Sequence, residues 1–213
     1  MNFMVFNGYL GSGKTLGAAI YAKHYAQLSG CALYSNCGLL GAKPFTRIED
    51  FKHIANEKSS ILLLDEAHMD LDARSFSSNH VKFFTQVSYY LRKLRCTLII
   101  TTPSFSDLDT RIRNITNVLA FVTKDKKYFR YELYDVQSLK YIQQMKIKKE
   151  NAFMVADTLF DTNSMVTPIH IPKNKDDFTD FLQELKHISE HYYKSVEQPT
   201  KLGGNAIKEV IYA

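Results

Sequence analysis

The chain predicts an α/β fold with a mostly parallel central sheet and a small C-terminal β/α appendage, and three observations carry that expectation. Short apolar runs alternate with stretches of helical spacing from the N-terminus onward, a pattern that lays helices over a parallel sheet and puts ligands at the carboxyl ends of its strands. Between the first run and the first helix lies Gly8-Tyr9-Leu10-Gly11-Ser12-Gly13-Lys14-Thr15, which meets the phosphate-loop pattern G-x-x-x-x-G-K-[ST] at every fixed position. A later apolar run, Ile61 to Leu64, ends in the adjacent carboxylates Asp65-Glu66.

Taken in order, Phe3 to Phe6 reads as a short buried strand, and Leu16, Ala19, Ile20 and Lys23 begin a helix running from Lys14 to about Ser29. A strand follows at Ala32 to Ser35, then a helix around Ile48 to Asn56. Ile61 to Leu64, bounded by polar residues on both sides, reads as a strand buried on both faces. The spacing next predicts a helix over Val81 to Leu94, the strand Thr97 to Thr101 and another apolar strand at Val118 to Val122. Past Lys124-Asp125-Lys126-Lys127, the alternation of Tyr128, Arg130, Glu132 and Tyr134 predicts a more exposed antiparallel strand or hairpin. Phe178, Phe181, Leu182, Leu185 and Ile188 mark an amphipathic helix from Lys175 to about Ser195. Gln198-Pro199 and Gly203-Gly204 break that pattern and leave a tail, or an arm that orders on a neighbouring subunit. The expected organisation is a nucleotide-binding core over residues 1–124, an appendage packed on it over 125–195, and a tail over 196–213.

Composition bounds the class. With 213 residues and 45% hydrophobic content the chain supports one substantial core and is short for two. The 27 basic and 22 acidic side chains leave a net charge of +5, which suits a polyanionic partner without requiring one. Cys31, Cys37 and Cys96 form no C-x-x-C pair and are odd in number, which argues against a disulfide framework or zinc site and for a reducing cytoplasm. Every apolar stretch is far below the ~20 residues of a membrane span, and Met1 to Phe6 lacks a basic leader, so a soluble protein without membrane insertion is expected.

The chemistry follows from the two motifs. Gly8, Gly11, Ser12 and Gly13 occupy the turn in which backbone N–H groups converge on phosphate oxygens, and Lys14 brings charge to the outer phosphates. The Thr15 hydroxyl suits Mg²⁺, a hard cation held by oxygen. Asp65, at a strand's carboxyl end, is placed to support that metal from its outer coordination sphere, and Glu66 is placed to polarise an attacking water. A kinase must keep water from the γ-phosphate whereas a hydrolase needs a base near it, so Asp65-Glu66 favours hydrolysis of ATP. The competing structural reading of the pair is a helix N-cap.

With Thr101-Thr102-Pro103-Ser104 and Leu108-Asp109-Thr110-Arg111-Ile112-Arg113 added to these motifs, the chain resembles the FtsK/HerA branch of P-loop ATPases, and within it phage Zot-type and DNA-packaging ATPases. The resemblance covers roughly residues 1–124, with a weaker echo at Leu159-Phe160-Asp161-Thr162. It implies a RecA-like P-loop NTPase core and double-stranded DNA moved through a homo-oligomeric ring, a pentamer or hexamer, by ATP turnover with Mg²⁺. By position it makes Thr102 a candidate sensor, although the family often has Gln or Asn there. It also implies an arginine acting from the adjacent subunit, with Arg92 first, Arg95 in reserve and Arg74 and Arg113 behind them. Lys43 and Arg47 in one loop, and Lys124, Lys126, Lys127 and Arg130 in another, are candidates to meet DNA phosphates. The role so implied is the motor that packages a phage genome into a preformed capsid. It would work in the cytoplasm of an infected bacterial host and, transiently, at a portal or capsid vertex. A Zot-like export ATPase of filamentous phage assembly, a P-loop small-molecule or nucleotide kinase and a non-enzymatic nucleotide switch stand as alternatives.

Three further patterns are set aside. Asp65-Glu66-Ala67-His68 spells a helicase box, but the chain has no room for a second motor domain. Asn174-Lys175-Asp176-Asp177 matches a guanine-reading pattern, but Asp65 to His68 departs from the Asp-x-x-Gly expected of a GTPase. His187 and His191 lack an evident third metal ligand.

Overall fold

The computed structural model describes residues 2–67, 79–161, 164–172 and 174–196. Among them, eight strands form one sheet in the order β3-β2-β4-β5-β1-β6-β7-β8. The central strands β1 (Phe3–Asn7), β4 (Ser60–Leu64) and β5 (Cys96–Thr102) pair in parallel, as do β2 (Ala32–Ser35) and the short β3 (Lys43–Pro44) on one flank. On the other flank β6 (Val118–Lys124) pairs parallel to β1, after which β7 (Tyr128–Asp135) and β8 (Tyr141–Lys148) continue the sheet antiparallel.

Alternation along the strands divides the core into two layers. Phe3, Val5, Leu62 and Leu64 face a layer that also receives Ile54 from α2 (Phe51–Asn56), Phe84 from α3 (Asn79–Ser88) and Phe178 from α6 (Lys175–Val196). Met4, Phe6, Ile61 and Leu63 face the other, against Ala18, Ala19, Ala22 and Ala26 of α1 (Lys14–Ser29). Alanines bring α1 close to the sheet, and Gly17 brings it closer: a Cβ there would lie 2.0 Å from the Tyr131 ring of β7.

Most expected elements are present, with two differences. The helix read as Val81 to Leu94 ends at Ser88, and residues to Arg95 form hydrogen-bonded turns. Thr85 and Ser88 bond back to the carbonyls of Val81 and Phe84, a habit that weakens helices, and Arg95 takes a left-handed φ of 54° before β5. The second difference is the helix after β8, α5 (Lys149–Leu159), which composition did not announce, whereas β7 and β8 pair antiparallel as the expected hairpin. β8 is an edge strand whose outward positions are Tyr, Gln and Lys, so its apolar alternation is faint. Past Val196, the expected tail lies outside the described residues.

Candidate functional site

β1 delivers the chain to Gly8, whose N–H donates to the Thr102 carbonyl oxygen of β5 at 3.3 Å. The loop then turns through two glycines with positive φ, Gly11 at 69° and Gly13 at 93°, a region that costs any residue with a Cβ. Gly13 precedes α1 without a side-chain cap, which leaves the first N–H groups of the helix available to an anion. Lys14 is buried, with 4% of its surface exposed, and its Nζ donates to the Tyr9 carbonyl at 3.2 Å, across the mouth of the loop.

Thr15 and Asp65 meet across the sheet edge, with Thr15 Oγ1 donating to Asp65 Oδ1 at 2.8 Å. The same oxygen accepts from Thr101 Oγ1 at 2.6 Å, and Asp65 is buried. Asn36, just past the end of β2, clamps the main chain of Asp65 from both sides: its Oδ1 accepts the Asp65 N–H at 2.8 Å, and its Nδ2 donates to the Asp65 carbonyl at 3.1 Å. A hydroxyl and a carboxylate held this close form an all-oxygen donor set that fits Mg²⁺.

Glu66 follows with a left-handed φ of 51°, a conformation that a glutamate adopts at a cost and that surrounding bonds must enforce. Its N–H donates to Thr101 Oγ1 at 3.0 Å, and the next N–H, of Ala67, to the Thr101 carbonyl at 3.0 Å. Glu66 lines, with Gly13, Lys14 and Thr15, a cleft of about 340 Å³. The cleft is also lined from beyond β6 by Phe129 of β7, Ala156 of α5, and Phe160. β7 also braces the loop directly, with Tyr131 Oη donating to the Gly13 carbonyl at 3.0 Å and its hydroxyl pushed to a higher pKa by burial. From β6, Lys124 Nζ donates to the Gly11 carbonyl at 2.9 Å.

The phosphate loop, Asp65 and Glu66 are thus brought together at the carboxyl edge of the sheet. Thr102 is fully buried and donates to the Ser104 carbonyl at 3.0 Å, whereas its neighbour Thr101 reaches the Asp65 carboxylate. Strand alternation sends one threonine of such a pair to each face, and the sequence alone does not say which. Arg92 and Arg95 lie at the opposite, amino edge, just before β5. Arg92 is exposed, while Arg95 donates to the carbonyls of Ala55 and Glu57 and stacks 3.6 Å from the Tyr192 ring centroid. Arg113 bonds the Leu108 carbonyl, and Arg74 lies outside the described residues. Among the DNA candidates, Lys43 pairs with Glu57 at 2.6 Å and holds that carboxyl below its usual range, and Arg47 pairs with Asp50 at 3.4 Å. Lys126 and Lys127 are exposed in the turn between β6 and β7. Asn36 and Tyr131, and the bond that Thr101 makes to Asp65, went unread in the sequence because each acts through contacts with residues 29 to 118 positions away, and Phe129, against Gly13, for the same reason.

Strand order and loop geometry together define a P-loop NTPase with a RecA-like α/β fold. The family model described as Zonular occludens toxin (Zot) matches residues 39–160, more than half of the chain, and the chain belongs to that family. The phosphate loop lies ahead of the matched stretch. Among solved structures, the genome packaging NTPase B204 from Sulfolobus turreted icosahedral virus 2, in complex with AMPPCP, is 14% identical, with a TM-score of 0.51 over 66% of this chain and 95% of that one. The same NTPase in complex with ATP-gammaS is 14% identical, with a TM-score of 0.50 over the same shares of the two chains. The N-terminal domain of zonular occludens toxin from Neisseria meningitidis is 16% identical over 84% of this chain and 97% of that one, with a TM-score of 0.48. At such identities the likeness to the packaging NTPase speaks for the fold. No curated protein matches the chain. Among the described residues, no helix is long and apolar enough to cross a membrane.

Proposed function

We propose that this chain hydrolyses ATP and uses the turnover to move DNA. The observation that carries the reading is the convergence of Lys14, Thr15 and Glu66 on one cleft at the sheet's carboxyl edge, with buried Asp65 bonded to Thr15 behind it. The first-turn N–H groups of α1 and the Lys14 ammonium hold the β- and γ-phosphates, with Lys14 leaving the Tyr9 carbonyl as they enter. Thr15 and Asp65 would hold Mg²⁺, which would supply positive charge to neutralise the phosphates. Glu66 takes a proton from a water as that water's oxygen bonds to the γ-phosphorus, and the bond from phosphorus to the bridging oxygen breaks to release ADP.

For the setting, we favour the motor of a phage that packages double-stranded DNA into a preformed capsid, working as a ring in which an exposed arginine such as Arg92 reaches a neighbour's cleft. Membership of the Zot family gives specific weight to a second setting, export of single-stranded DNA during filamentous phage assembly. Phosphate release from ATP, measured with and without long double-stranded DNA at low salt and over a range of protein concentrations, tests both steps. Turnover rising with DNA and with protein concentration supports an assembling translocase. Turnover indifferent to both identifies a monomeric nucleotide enzyme, and phosphoryl transfer to a small acceptor identifies a kinase.

A further inference from the structure

β7 presents two different faces to two different neighbours. Phe129 and Tyr131 point to the phosphate loop, while Tyr128, Arg130, Glu132 and Tyr134 alternate onto the other side of the sheet. Register places Phe121 of β6 opposite Glu132, and Tyr141 of β8 opposite Tyr134. On that side the three rings form a ladder across three strands, Phe121 to Tyr134 at 5.6 Å and Tyr134 to Tyr141 at 5.7 Å between centroids. Phe121 is 43% exposed and Tyr141 56%, far more than aromatic rings in a covered sheet face.

Basic side chains flank the ladder. Lys146 lies directly opposite Arg130, and Lys148 directly opposite Tyr128, both lysines being exposed. Like charges facing one another across a strand pair cost stability, and a polyanion laid over them removes that cost. Two acidic groups share this face: Asp125 pairs with the Arg130 guanidinium at 2.5 Å, with its carboxyl held at about 2 chiefly by that bond, and Glu132 accepts from the Gln144 amide at 2.9 Å. Lys126 and Lys127 extend the positive surface into the adjoining turn.

We propose that the open face of β6, β7 and β8 binds single-stranded nucleic acid, with bases stacking on Phe121, Tyr134 and Tyr141 and phosphates held by Lys146 and Lys148. A row of rings, exposed at Phe121 and Tyr141 and half-buried at Tyr134, bordered by cations is an arrangement that takes unstacked bases whatever their sequence. A duplex hides its base faces and would meet only the cations. The assignment rests on the second setting above, export of single-stranded DNA, and names where that strand lies. Because Tyr131 and Phe129 sit on the reverse of the same strand, a nucleic acid seated here is one strand's thickness from the nucleotide cleft.

The test is fluorescence anisotropy of fluorescein-labelled oligothymidylate with the full chain, without ATP and at low salt. Joint replacement Tyr134→Ala and Tyr141→Ala weakens binding about ten-fold or more, whereas Tyr141→Phe, which keeps the ring, binds like the parent. Lys146→Ala and Lys148→Ala each lower the slope of log affinity against log salt by about 0.7. The matching duplex binds more weakly and does not sense the tyrosine changes. The assignment is overturned if the double tyrosine variant binds the oligonucleotide like the parent, or if the parent does not bind it. A dimer in sedimentation that the tyrosine changes abolish, with no oligonucleotide affinity, gives the face to a second copy and also overturns it. Because ATP is absent, lost turnover with intact oligonucleotide binding counts against hydrolysis alone, and the reverse counts against this platform alone.

Discussion

Glu66 shows how the fold forces a side chain toward chemistry. Its left-handed backbone is held by the Thr101 hydroxyl and carbonyl, and relief of that strain separates structural from chemical roles. Glu66→Ala and Glu66→Gly both remove the carboxylate, but the glycine accepts the backbone freely. The glycine variant should therefore melt higher than the alanine by the equivalent of about 1 kcal/mol, as calorimetry would read, while neither releases phosphate. Glu66→Gln should keep nucleotide binding and lower turnover about a hundred-fold or more, and substantial remaining turnover would remove Glu66 from its assigned role. Asn36 makes a prediction of the opposite kind. Asn36→Ala strips two hydrogen bonds from the buried main chain at Asp65 and should cost roughly 2 kcal/mol in denaturant melts. The motif residues were legible because phosphate chemistry restricts them to a local pattern. Asn36 and the bond that Thr101 makes to Asp65 were not, since any polar residue at a strand end carries the same local signal until the sheet is assembled.

Elements were legible to the degree that they alternate or repeat. The central strands declared themselves through apolar runs, and α6 through its periodic Phe and Leu positions. α1 was placed by the helical spacing of Leu16, Ala19, Ile20 and Lys23, yet its buried face is built mostly from alanine and glycine. That choice has a measurable consequence. Gly17→Ala places a methyl 2.0 Å from the Tyr131 ring, so α1 or β7 must shift, at a cost of about 1–3 kcal/mol and with loss of the Tyr131 bond that braces the phosphate loop. Nucleotide affinity should fall together with the melting temperature, and a variant that melts lower yet binds nucleotide like the parent would refute that coupling. The short helix α4 (Thr110–Ile115) carries a pH prediction. Asp109 caps it by accepting the Arg111 N–H at 2.8 Å and is held below the usual carboxylate range first by its bond to the Arg111 side chain. A carboxyl depressed in the folded state stabilises above its unfolded pKa, and the contribution fades as pH falls through the folded value. Asp109→Asn should thus be less stable than the parent near neutrality and converge with it in acid, as melts across that range would show.

At the scale of the whole molecule, the cleft and the exposed arginine lie on opposite edges of one sheet, so a chain cannot offer Arg92 to its own phosphates. If copies associate with the amino edge of one near the carboxyl edge of the next, Arg92 would complete the neighbour's cleft and Arg95, tied to Ala55, Glu57 and Tyr192, would stiffen the turn that carries it. Arg92→Ala should then leave melting and nucleotide binding near normal, since its side chain is exposed, while lowering turnover about a thousand-fold. Mixing supplies the decisive arm. Subunits with Glu66→Gln keep Arg92, subunits with Arg92→Ala keep Glu66, and a share of the interfaces in a mixed assembly pairs the intact arginine of one with the intact glutamate of the other. Phosphate release from the mixture should exceed that of either variant alone and should grow with total protein concentration. A mixture no more active than its parts would place Arg92 on the surface rather than in a neighbour's site.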